Sequence, residues 1–69
     1  MKIFAERLKD LRIGKGLTQK DLEKELEGKI TASAIGFWET EKRVPKFDMV
    51  IIIAQYFGVS LEYLAGLED

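Results

Sequence analysis

Apolar residues recur along this chain at helical rather than alternating spacing. Phe4, Leu8 and Leu11 fall at i, i+4 and i+7 and predict a first helix over roughly residues 2–14. Gly14 and Gly16 stand at its end, where a glycine C-cap belongs. Thr18, with Asp21 three residues later, forms a capping box in which Asp replaces the usual Glu, and Leu22 and Leu26 give the second helix its buried face. Gly28 marks the break. Thr31 is placed to N-cap a third helix, with Ile35 and Trp38 toward the core and Ala32, Ser33, Gly36 and Phe37 on the outer side.

Beyond Pro45 the pattern is less plain. Val50-Ile51-Ile52-Ile53 alone could be a buried strand, but about a dozen residues from Lys46 to Phe57 without Gly or Pro favour a helix ended by Gly58. Phe47, Val50, Ile53, Ala54 and Phe57 supply its core face. Met49, Ile52 and Tyr56 form a second apolar stripe, open to two readings: an oligomer or partner surface, or packing against the first and last helices. Ser60 caps a short last helix from Leu61 to Ala65, ended by Gly66. The expected fold is all-α, a compact five-helix bundle, with residues 1–69 forming one domain.

Composition removes several classes of function. The chain has no cysteine and no histidine, so disulfides, thiolate metal sites and imidazole chemistry are excluded, and neither a metal nor a cofactor is expected. Its carboxylates are spread among lysines as on a solvated helix face. No nucleophile–base pair or phosphate-binding glycine loop accompanies them, so an enzyme is not expected. Glu6, Arg7, Lys9 and Asp10 interrupt any signal-peptide pattern, and the longest apolar run, Met49 to Ala54, is too short to cross a bilayer. A cytoplasmic protein without membrane contact is the expectation.

The segment from Leu17 to Pro45 carries the functional signal. Two short amphipathic helices joined by a Gly-containing turn are the elements of a helix-turn-helix, which presents its second helix to the DNA major groove. The net charge of −1 lacks the basic excess of an electrostatic DNA binder. It is unevenly spread: residues 31–69 hold three Lys/Arg against six Asp/Glu, and those three cations, Lys42, Arg43 and Lys46, cluster. They are candidates for clamping phosphates. Lys46 sits where a helix begins, a position that disfavours a cation unless an anion arrives there.

The ordered blocks Arg7-Leu8-Lys9-Asp10-Leu11-Arg12, Gly16-Leu17-Thr18-Gln19, Trp38-Glu39, Lys42-Arg43-Val44-Pro45 and Phe57-Gly58-Val59-Ser60-Leu61-Glu62-Tyr63-Leu64 resemble the phage-repressor family, the Xre/Cro/CI-type helix-turn-helix domains. The resemblance covers nearly the whole chain. It implies a lambda-repressor-like domain that binds double-stranded DNA as a homodimer on a roughly palindromic operator and controls transcription; occluding a promoter would be enough to make it a repressor. It also implies that Arg12 pairs with Glu39, and that Gln19 reaches a phosphate or supports a base-reading side chain. Two departures stand out. Glu23 occupies a position that is usually small, because the two motif helices approach closely there. The spacing from Leu26 to Ile35 is also two residues longer than usual, through Glu27-Gly28-Lys29, which implies a longer second helix or an enlarged turn.

The candidate DNA-binding residues are therefore Thr18, Gln19 and Lys20 at the start of the second helix, Thr31, Ala32, Ser33, Gly36 and Phe37 on the third, and Lys42, Arg43 and Lys46 after it. The third helix offers no Arg, Lys, Asn or Gln for bidentate base contacts. Ala32 and Phe37 could meet thymine methyls, Ser33 could bond a base or phosphate, and Gly36 would allow close backbone approach at a helix cost of about 1 kcal/mol relative to Ala. Such a surface predicts modest direct readout, with DNA shape and deformability contributing the rest. Alternatively, Phe37 folds back on the core or joins a patch for a protein partner, and the chain is a protein-interaction module of the antitoxin or anti-repressor type.

Overall fold

The computed structural model of the protein describes residues 2–68. Five helices follow one another: α1 (Lys2–Gly14), α2 (Gln19–Glu25), α3 (Ala32–Glu39), α4 (Phe47–Phe57) and α5 (Leu61–Ala65). No strand occurs among the described residues. The run Val50–Ile53 is helical: at helical spacing Ile53 and Ala54 enter the core while Val50, Ile51 and Ile52 stay half-buried. A strand would have needed a partner edge, and none occurs among the described residues.

Local chemistry places the helix ends. α1 closes in a Schellman motif, with Leu17 N–H donating to Arg12 O (3.1 Å) and Gly16 N–H to Ile13 O (2.8 Å) around a left-handed Gly16, φ 70°. The expected box follows at once: Asp21 N–H donates to Thr18 Oγ1 and Thr18 N–H to Asp21 Oδ2, both at 2.9 Å. Thr31 Oγ1 caps α3 through Ala34 N–H (3.1 Å), and Ser60 Oγ caps α5 through Tyr63 N–H (2.9 Å). Gly58 and Gly66 close α4 and α5.

The core joins Phe4 and Leu8 of α1, Leu22 of α2, Ile35 and Trp38 of α3, Ile53 and Ala54 of α4, and Leu64 of α5. Leu26 and Ile30, on either side of the α2–α3 turn, complete it. Phe4 and Trp38 meet edge to face with centroids 6.2 Å apart. Burying side chains of this size contributes about 1.5–3 kcal/mol each. These contacts pack α1 on α3 and α5, and α2 on α3, and so fix the pose of α3.

Two expectations for α4 resolve differently. Phe47 does not join the core face; it is 68% exposed. It is the first residue of the helix, well before Ile53 and Ala54 that reach the interior, and lines an apolar groove with Phe4, Pro45, Val50, Leu61 and Leu64. The stripe Met49, Ile52 and Tyr56 is half-buried and packed on the core. Tyr56 OH donates to Glu25 Oε1 (2.7 Å), and Lys15 Nζ lies 5.1 Å from the Tyr56 ring centroid. Tyr56 thereby ties α4 to the ends of α1 and α2.

Between α2 and α3 the turn is enlarged rather than the helix extended. α2 stops at Glu25, and Gly28 N–H donates to Glu23 O with Glu27 N–H on Lys24 O, both 3.0 Å. The left-handed residue of this second Schellman motif is Glu27, φ 56°, not a glycine. An L-residue there carries about 1–2 kcal/mol of steric cost. Glu27→Gly is therefore expected to stabilise the fold by about 0.5–1 kcal/mol after the extra unfolded-state entropy of glycine is subtracted. A urea titration should show a higher midpoint with an unchanged m-value; a lower midpoint would mean that the Glu27 side chain holds the turn in some other way.

Candidate nucleic-acid interface

α3 is tied to α1 by one buried ion pair, which α2 joins through Gln19. Arg12 Nε and Nη2 donate to Glu39 Oε2 and Oε1, each at 2.8 Å, in a fork-to-fork pair, while Nη1 donates to Leu17 O at 2.8 Å. The Glu39 side chain is 4% exposed and that of Arg12 11%. The hydrogen bonds to Glu39 hold the Arg12 guanidinium pKa above its already high ordinary value. The pairing that the resemblance implied is present, and it extends further: Gln19 Nε2 donates to Glu39 Oε1 (3.3 Å).

That bond fixes Gln19 against α3. A Cβ on Gly36 would stand 3.2 Å from Gln19 Oε1 and 3.6 Å from Nε2. The close approach that Gly36 permits is thus made by the Gln19 amide, and Gly36 is half-buried beneath it. Ala32 is half-buried as well. Of the four outer residues expected on α3, Ser33 and Phe37 are the exposed ones, because α2 crosses over the other two positions.

Phe37 does not fold into the core. It is 37% exposed, and the Arg43 guanidinium carbon lies 4.9 Å from its ring centroid. Lys42 and Arg43 N–H both donate to Phe37 O, at 2.9 and 3.3 Å, so the basic loop is folded directly onto the end of α3. An open cleft of about 350 Å³ gathers Thr31, Ser33, Phe37, Arg43 and Lys46 along one side of α3. Lys42 is exposed but does not line this cleft. The start of α3 at Thr31 and the start of α4 at Lys46 thereby share one surface.

The remaining candidates have structural employment. Thr18 is exposed, with its hydroxyl and N–H both in the capping box, so part of the α2 N-terminus is already satisfied. Thr31 Oγ1 accepts the α3 cap. Lys20 is exposed and 3.6 Å from Glu23 Oε2. Lys46 is the N-cap of α4 without a side-chain cap bond, and Asp48 Oδ1 accepts from Met49 N–H (3.0 Å) in the same turn. A carboxylate already offsets part of the positive helix end beside Lys46.

Two interactions go beyond what the sequence reading identified. Thr40 Oγ1 donates to Gly36 O (2.8 Å) and finishes α3. Glu23 Oε1 accepts from Ala32 N–H (2.8 Å), so the acidic residue at the junction caps the helix opposite. The oversized residue and the lengthened turn were its joint signal. The backbone donor, helped by Lys20, holds the Glu23 carboxyl below its ordinary pKa, and the capping box does the same for Asp21. Both contributions are present above the ordinary carboxylate range and are lost as pH falls through the lowered values.

Among the described residues no helix is long and apolar enough to cross a membrane, and no acidic cluster could hold a metal ion.

Comparison with known proteins fits this geometry. A family model described as helix-turn-helix matches residues 8–64. The uncharacterised HTH-type transcriptional regulator YobD of Bacillus subtilis (strain 168) is 33% identical over 67 residues, 97% of this chain and 58% of its own length. The HTH-type transcriptional activator BcrR of Enterococcus faecalis is 35% identical over 66 residues, 96% of this chain and 31% of its own length. This chain therefore spans less than three-fifths of the one relative and less than a third of the other. No solved structure matches it. With the motif helices, the Arg12–Glu39 tie and the matched segment in agreement, the chain belongs to the Xre/Cro/CI-type helix-turn-helix family.

Proposed function

We propose that residues 1–69 act as one cytoplasmic, sequence-specific DNA-binding unit of a transcriptional regulator, with α3 in the major groove of double-stranded DNA. The observation that carries this reading is the shared surface of Ser33, Phe37, Arg43 and Lys46 along α3. Lys42, Arg43 and Lys46 contact phosphates, with Thr18, Gln19 and Lys20 at the neighbouring strand. Ser33 and Phe37, the exposed positions of α3, face the bases beside Thr31, while Ala32 and Gly36 lie half-buried against α2. With no long polar side chain on that face, sequence preference comes largely from thymine methyl contacts and DNA shape. Occupying a promoter in this way represses transcription, although one relative carries the name activator.

Selection from random duplexes, followed by affinity measurements on the best site and on scrambled DNA, tests this. A recurring palindromic site preferred by about a thousandfold or more supports a specific regulator. Weak binding without a motif rejects it.

The dimer is a second copy of this chain packed on the groove beside Phe47. Phe47, 68% exposed, lines an apolar groove of about 260 Å³, and Val44, 64% exposed, lines the neighbouring cleft along α3. Pro45 lines both that groove and the cleft along α3, so a copy seated there lies next to the DNA-facing surface. A two-fold axis would place two α3 helices about 34 Å apart, one turn of DNA. Phe47→Glu should leave the melting temperature within a few degrees, because the side chain is outside the core, and should shift sedimentation to the monomer. Affinity for a full palindrome should then drop to that for a half-site. A dimer that survives the change places the interface elsewhere.

A protein-interaction module remains the second reading, favoured by the net charge of −1 and the exposed Phe37 and Phe47. The stripe Met49, Ile52 and Tyr56 does not support it, being packed against the core.

A further inference from the structure

We infer that Glu23 is a positioning residue that sets the pose of α3 and keeps backbone phosphate away from its N-terminus; this rests on the DNA-binding reading above.

The α2–α3 junction is wide enough to admit a carboxylate, and the carboxylate is used. Glu23 Oε1 lies 2.8 Å from Ala32 N, the first backbone donor of α3. The backbone carbonyl of Glu23 accepts from Gly28 N–H (3.0 Å) and so closes the turn that leads to α3. One residue thus holds both ends of the connection. Thr31 Oγ1 takes a further donor, Ala34 N–H. Helix starts are ready anion sites because their N–H groups are free and their dipole is positive. Here an internal anion fills that role, and its charge repels an external one. The consequence is a helix whose first turn is locked by α2 rather than by DNA, leaving phosphate contacts to the start of α2 and the basic loop after α3.

Glu23→Gln keeps a carbonyl acceptor for Ala32 N–H and removes the charge; Glu23→Ala removes both. For Glu23→Ala the ratio of affinities for the selected and scrambled duplexes should fall by about tenfold or more, with the preferred bases under α3 changed. Its salt slope should steepen by about 0.9, one extra phosphate at the vacated helix start. Glu23→Gln should keep the wild-type ratio and slope, with both affinities raised a few-fold by the removal of repulsion. Thermal melts confirm that both variants are folded. Wild-type ratio and slope in Glu23→Ala, or loss of discrimination in Glu23→Gln, would overturn the inference.

Residual dipolar couplings of the free proteins read the α2–α3 angle without DNA. The angle should be unchanged in Glu23→Gln and altered in Glu23→Ala. If the wild-type chain selects no duplex, the DNA-binding reading fails. The couplings then decide the positioning role alone, and an unaltered angle in Glu23→Ala overturns it.

Discussion

Replacing Lys42 and Arg43 together by Glu is expected to abolish binding to the selected duplex while leaving the protein folded. Both side chains are exposed, and the loop is held to α3 by the backbone, through N–H donation to Phe37 O. Glutamate preserves those bonds. Within the fold the change removes the Arg43–Phe37 stack, worth about 0.5–1 kcal/mol at an exposed site. On DNA the effect is far larger. Two charge-assisted bonds to phosphate disappear, about 1.5–3 kcal/mol each, and two repulsive charges take their place. Affinity should fall by at least about a hundredfold at physiological salt, and the residual salt slope should be shallower by about 1.8. The chain starts from a net charge of −1, so it has little general attraction with which to compensate. Scrambled DNA should bind more weakly as well, because phosphate bonding carries no sequence information. If the double variant binds its site as before, the basic loop does not face DNA and the protein-partner reading takes precedence.

The same loop shows how far local sequence determines this surface. The helix starts were legible because each is a short-range bond between a side-chain oxygen and an N–H three residues on, at Thr18–Asp21, Thr31 and Ser60. The convergence of Thr31, Ser33, Phe37, Arg43 and Lys46 was also readable, since α3 and its loop are contiguous in the chain. What could not be read depends on how helices cross. Gly36 has a place under Gln19 because α1 holds Glu39 where the Gln19 amide can reach it. Phe47 has the same helical spacing as a core residue and is exposed because of where α4 begins. Glu23 and Glu27 break local rules, one as a bulky acid in a tight junction and one as a left-handed L-residue. Both are consequences of the enlarged turn, whose length was visible and whose path was not.

Glu39→Ala is expected to be the most destabilising single change among the polar residues. It deletes both acceptors of the Arg12 fork and leaves a guanidinium with only the Leu17 carbonyl in a largely closed setting. Among the described residues every buried side-chain polar atom has a partner, so this variant creates a defect that the native fold lacks. Stranding one member of a buried pair costs about 3–5 kcal/mol, and the partial exposure of Arg12 places this case near the lower end. A chain of this size has about 3–10 kcal/mol of total stability. The melting temperature should therefore fall by more than about 10 °C.

Arg12→Met with Glu39→Met separates the cost of stranding a charge from the value of the pair. If desolvation nearly balances attraction, the double variant should regain most of the stability, since no charge is left stranded and only the Leu17 carbonyl and the Gln19 amide lose a partner. DNA affinity should not recover with it. Gln19 donates to Glu39 Oε1, and without that acceptor the amide above Gly36 is released. Measured well below the melting temperature, the double variant should bind the selected duplex about tenfold or more weakly than wild type, a deficit that stability cannot explain. Recovery of stability together with full affinity would show that Arg12 and Glu39 serve the fold alone. Recovery of stability without affinity would assign the pair its second role, holding Gln19 in place for DNA.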